Sequence, residues 1–128
     1  MKPKLLTIAS LLSILFNTFH LAQDIVYGYE PGTRRNLIIV PILVVWLYAT
    51  LLLSERRSGY IIILLGSLLS LGIPIVHMSG RGVGVASRMV GSHGHFFFVW
   101  TLIALGVTAL FSIILSVCGL WSLRRGQS

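Results

Sequence analysis

The stretch Leu5–Tyr27, LLTIASLLSILFNTFHLAQDIVY, decides what kind of chain this is: 23 residues with no lysine, arginine or glutamate among them. As a helix rising about 1.5 Å per residue it reaches roughly 35 Å, enough to cross a hydrocarbon layer about 30 Å thick. Taken in steps of three and four, it sets Ser10, Ser13, Asn17, His20 and Asp24 on one face. The rest of the surface is mostly Leu, Ile, Ala and Phe. Exposing Asn, His or Asp to acyl chains costs several kcal/mol each, so the polar stripe is expected to face the interior of a bundle.

Three further apolar stretches follow, placing spans at residues 5–27, 37–53, 59–77 and 95–121. Hydrocarbon leaves no partner for open backbone groups, and the apolar runs do not alternate as barrel strands do, so each span is expected to be a helix. Composition agrees: of 128 residues 55% are hydrophobic and 10% charged, and the mean hydropathy is +0.92. That is too little polar surface to coat a soluble domain of this size. The expected fold is therefore an all-α integral membrane protein, one domain over residues 1–128. Its four transmembrane helices form an up-down antiparallel bundle, since the short link Ser54–Ser58 makes the second and third spans antiparallel neighbours.

The net charge of +7 would suggest nucleic acid in a soluble protein. Here the cations sit at span ends, as Lys2, Lys4, Arg34–Arg35, Arg56–Arg57 and Arg124–Arg125, where they set topology and anchor to headgroups; no nucleic-acid partner is expected. With the N-terminus cytoplasmic, inner segments hold six of these residues (Lys2, Lys4, Arg56, Arg57, Arg124, Arg125) against four outside (Arg34, Arg35, Arg81, Arg88), which puts both termini in the cytoplasm. Lys2 and Lys4 ahead of an apolar run also open a secretory signal, but cleavage after Ala22 would put His20 where a small residue is required. The first span is expected to stay.

Aromatic residues mark the borders, with Tyr27, Tyr29, Phe96 to Phe98 and Trp100 toward the outer face and Tyr60 and Trp121 toward the inner one. Trp46 and Tyr48 fall mid-span and are expected between helices. The lone Cys118 excludes an internal disulfide and reads as a small buried apolar residue. Small residues at packing spacing, Gly66 with Ser70 and Thr108 with Ser112 and Ser116, fit close helix contacts.

One placement points beyond packing. By topology His20, Asp24, His77, His93 and His95 share the outer membrane face. His20 and Asp24 are one turn apart, so the carboxylate can fix the imidazole tautomer, as it does for a metal or haem ligand and equally for two buried groups that satisfy each other. Pro74 frees the carbonyl of Ser70 and is expected to kink the third helix one turn before His77. His93 and His95 flank Gly94, and in a helix only one of them can point inward; Ser92 is a candidate cap. His-x-x-x-His, Glu-x-x-His and cysteine-pair motifs are all missing. The loop Ser79–Gly84 lacks the lysine of a phosphate loop, and the three carboxylates Asp24, Glu30 and Glu55 form no acid pair for hydrolysis.

The segments Phe19–Val26, with Glu30-Pro31-Gly32 after it, and Leu53–Tyr60 resemble a family of small uncharacterised bacterial four-helix inner-membrane proteins. That resemblance implies the topology and a multi-pass position in a bacterial inner membrane, and no activity. The leading functional expectation is a non-enzymatic structural or accessory component, homo-oligomeric or part of a larger membrane complex, without cofactor. The alternative is a haem b- or metal-binding redox protein using His20, His77 and His95, with Asp24 behind them. A third is a transporter of protons or small solutes along the stripe.

Overall fold

A computed structural model of the chain describes residues 3–28, 33–78 and 93–126, and these are helical. Helix α1 runs Pro3–Tyr27 and stops at Gly28, whose φ of +64° is a left-handed cap that side-chain-bearing residues avoid. A 3-10 helix, Thr33–Ile38, leads into α2, Ile39–Leu52. Helix α3 is Arg57–Met78 and α4 is His95–Arg124. Three stretches, Lys4–Tyr27, Arg57–Met78 and His95–Arg124, are long and apolar enough to cross a membrane. The second expected span differs: α2 has 14 residues, so its α-helical part rises only about 21 Å, and the tighter 3-10 winding supplies the rest of the stretch.

The helices alternate in direction. Asn17 meets Ser70 and His20 meets His77, so α1 and α3 advance together. His20 also meets Phe98 while Ser13 meets Ser112, so α4 runs against them. Trp46 lies against Gly66 and Leu53 against Gly59, which sets α2 antiparallel to α3. A Cβ on Gly66 would stand 2.6 Å from the Trp46 ring, so the indole reaches the interior only because that position has no side chain.

Polarity is inverted relative to a soluble protein. Ser10, Ser13, Asn17, His20 and Asp24 are all buried, as the stripe predicts, and Thr50, Ser67, Ser70, Ser112 and Ser116 line the same interior. Outside lie Leu65, Leu69, Val107, Ile114 and many other large apolar side chains. Not more than 39% of any spanning window is buried within the chain, so most of each of these apolar helix surfaces is not covered by the chain itself.

Two apolar clusters complete the interior. Leu6, Ile14, Trp46, Tyr60 and Ile63 form one, at the end where α3 begins, and Phe98 and Leu102 with Ile73 form the other. Trp46 is between helices as expected, but Tyr48 is 55% exposed: α2 turns Trp46, Ala49 and Thr50 inward, and Tyr48 is on the opposite face. Tyr60, expected in the border belt, is buried against Gly119. Cys118, expected to be buried, is exposed, because the inward line of α4 passes through Ser112, Ser116 and Gly119 and misses it. Thr108 is half-buried and its hydroxyl donates back to the Ala104 carbonyl rather than across a helix boundary.

Candidate functional site

The stripe on α1 divides into two parts. In the first, hydrogen bonds cross helix boundaries. Trp46 Nε1 donates to Ser10 Oγ at 2.8 Å, and Ser10 Oγ lies 2.7 Å from Thr50 Oγ1. Thr50 gives its proton to the Trp46 carbonyl, so the Ser10 hydroxyl must donate to Thr50, closing a ring of three bonds between α1 and α2. Ser13 donates to the Ala9 carbonyl and lies 3.5 Å from Ser112 on α4. Asn17 spends both amide protons, one on the Ser13 carbonyl and one on Ser70 Oγ of α3 at 2.6 Å.

One turn further, the pattern changes. His20 Nε2 is 3.2 Å from Asp24 Oδ2, the one-turn pairing read from the sequence. His77 arrives from α3, parallel to α1, with its ring centroid 4.8 Å from that of His20 and nearly edge-on. Phe98 of α4 packs against both imidazoles, at 5.3 and 5.7 Å. His20, Asp24 and His77 are 6%, 3% and 3% exposed. One potential ligand atom from each lies within 4.8 Å of the others, the one such three-residue group among the described residues.

Beside them opens a cavity of about 370 Å³, walled by Asn17, His20, Asp24, Asn36, Ile73 and His77 among others. At roughly 30 Å³ of liquid per water molecule, that is room for an ion with several waters. His20 Nδ1 is buried and has no hydrogen-bond partner, so with Nε2 directed at Asp24 the ring keeps a lone pair to offer. Gln23, one turn after His20, is buried with neither amide atom partnered.

Of the residues singled out from the sequence, His20, Asp24 and His77 come together. His95 does not join the group: as the first residue of α4 it is half-buried, with Nδ1 unpartnered, and the α4 side chain that reaches the histidines is Phe98. This moves Phe98 from the border belt, where it was expected, into the site; it is fully buried because it begins the inward line continued by Thr101, Leu102 and Leu105. His93 is exposed in the turn before α4, and Gly94 takes the N-cap position without a side-chain cap. Tyr29, Glu30, Arg81, Arg88 and Ser92 lie outside the described residues.

Asn36 and Gln23 were not anticipated. Asn36 precedes the second apolar run and gave no periodic signal; Gln23 neighbours Asp24, one step off the stripe. A wider polar sector, counting positions 20, 23 and 24 together, would have included Gln23.

The donor set suits a first-row divalent ion. Metal–ligand bonds of 2.0–2.1 Å in a tetrahedral site put neighbouring donors about 3.3 Å apart; the three candidate donors here lie within 4.8 Å of one another, so closing on an ion takes a side-chain shift of about 1 Å. Two imidazoles and a carboxylate are typical donors for zinc or iron(II) and leave a position open. The chain matches no protein-family model, no curated protein and no solved structure.

Proposed function

We propose that this is a four-helix integral membrane protein that binds one divalent transition-metal ion between His20, His77 and Asp24, near the membrane face opposite its two termini. The observation that carries the reading is the convergence of three buried ligand-type side chains, from two helices, on one cavity. Both imidazoles serve as neutral donors. The Asp24 carboxylate offsets part of the ion's charge, without which burial in so apolar a setting would be prohibitive.

In the fuller proposal, α2 with its 3-10 lead-in makes the fourth crossing, the bundle sits in a bacterial inner membrane, and both termini are cytoplasmic. The bias of basic residues supports that orientation. The metal then enters from the extracytoplasmic side. Binding is non-enzymatic in this reading, and an accessory role beside other copies or a larger complex fits an ion held with an open coordination position.

Two other readings are less well supported. A haem held between His20 and His77 needs a slot for a macrocycle, whereas the rings touch each other and Phe98. A transport path along the stripe would have to break the bonds of Asn17, Ser13 and Ser10, which plug it.

Titration of the detergent-purified protein with cobalt(II) tests the proposal. One equivalent per chain with visible d–d bands, absent in His77→Ala, is expected. No binding below millimolar cobalt by protein with intact helical circular dichroism would refute it, and a Soret band in the purified protein would select haem instead.

A further inference from the structure

At the opposite end of the bundle the start of α3 and the end of α4 enclose a second, larger groove of about 890 Å³. Its rim carries Arg57, Arg124 and Arg125, and its wall is apolar, with Ile61, Val117 and Leu120. The guanidinium of Arg125 stands 4.7 Å over the Trp121 ring, which fixes its direction. No acid lines the groove: Glu55, the one carboxylate described at this end, is in the neighbouring turn and outside the wall.

Three exposed guanidiniums on the rim of one concavity, with no acid among its lining residues, make it electropositive. Simple topology signals would be served as well by cations spread around the helix ends, as Arg56 is. The first turn of α3 bears no acid and its end carries partial positive charge, while the partial negative end of α4 beside it is met by Arg124. The wall supplies the other half of the specification. A soluble anion has no use for isoleucine, valine and leucine running from the rim toward mid-membrane, but an acyl chain attached to a phosphate does.

We infer that the Arg57–Arg124–Arg125 groove is a binding site for an anionic phospholipid, with the headgroup phosphate among the guanidiniums and one acyl chain along Ile61, Val117 and Leu120. Arginine suits the task because its planar fork grips phosphate oxygens in pairs. The size lies within the range of ligand sites, about 300–1,000 Å³. This inference rests on the membrane reading and is independent of the metal site, so either can fail alone.

The test is native mass spectrometry of the full chain released from nanodiscs of dioleoyl phosphatidylglycerol or dioleoyl phosphatidylcholine. The expected result is one retained phosphatidylglycerol per chain and no comparable phosphatidylcholine adduct. In phosphatidylglycerol, Arg57→Gln, Arg124→Gln and Arg125→Gln should each lower retention roughly fivefold, the effect of one basic residue near an anionic surface. Arg56→Gln, which removes a charge from the same end but not from the groove, should leave retention unchanged. Equal retention of the two lipids by the unaltered chain overturns the inference whether or not the variants fold. An equal loss in Arg56→Gln reduces the effect to general surface charge and also overturns it, as does displacement of the lipid by millimolar inorganic phosphate.

Discussion

From Ser10 to Asn17 the polar stripe of α1 is used up in bonds to α2, α3 and α4, while from His20 to Asp24 the same stripe borders a cavity with donor atoms to spare. Both halves meet the same physical problem, polar groups held in a hydrocarbon-like interior. The first half resolves it by pairing and becomes adhesive. The second pairs His20 with Asp24 and leaves His20 Nδ1 with a lone pair that an incoming cation can take. Polarity inside a bundle is therefore not one property: its meaning depends on whether a neighbouring helix supplies the partner.

The comparison can be broken at either half. The largest effect is expected at the histidine end: His77→Ala should weaken cobalt(II) binding by about 100-fold or more, since even groups behind the ligands are worth 10–100-fold. Truncating a buried ring also costs the metal-free variant some stability, so the comparison is made on protein with intact helical circular dichroism, and binding unaltered there would assign the histidines to packing. Next comes the opposite half, where Gly66→Ala drives a methyl into Trp46 and should cost about 1–3 kcal/mol of stability in detergent unfolding. Metal affinity should follow the wild type, because the clash is several turns from the site.

A smaller effect, of opposite sign, sharpens the contrast. Gln23→Leu removes two buried polar atoms that find no partner and should stabilise the metal-free protein by about 1 kcal/mol, which a raised unfolding midpoint would register. A destabilised variant would mean that the amide has a partner in the membrane, such as lipid or water. The least effect is expected from Asn17→Leu, which loses its bond to Ser70: interhelix hydrogen bonds in membranes average about 0.6 kcal/mol, and a cost far above about 1.7 kcal/mol would show that the paired half works as one cooperative unit.

Much of this was legible in the sequence because α1 carries the longest line of strongly polar side chains. Its rotation is set by Ser10, Ser13, Asn17, His20 and Asp24, and their burial follows. The His20–Asp24 pairing and the approach of His77 were likewise readable, from one-turn spacing and shared depth. Helix α2 offered no such line, and α4 only small hydroxyl residues such as Ser112 and Ser116, a weaker signal. Both helices are apolar nearly all round, and a membrane helix has no preference between lipid and a leucine-lined core. Their rotations are decided by local fits, Trp46 over Gly66 and Tyr60 over Gly119, which a periodicity count cannot weigh. Hence Tyr48 and Cys118 turned outward, and Phe98 turned inward where His95 was expected.

The same stripe has a consequence for biogenesis. In the proposed membrane setting a helix leaving the insertion machinery meets lipid before it meets partners, and α1 is made before α2, α3 and α4 while carrying the polar groups. Its partners Thr50, Ser70 and Ser112, and His77 which completes the proposed ion site, are encoded 40 to 99 residues beyond the α1 side chains they meet. Until those segments are synthesised the first helix has nowhere favourable to settle, so it should linger beside the translocon or a chaperone and move into lipid only with α3. The order of synthesis would then make the metal site the last part of the bundle to close, sealed when α4 brings Phe98 over the two histidines.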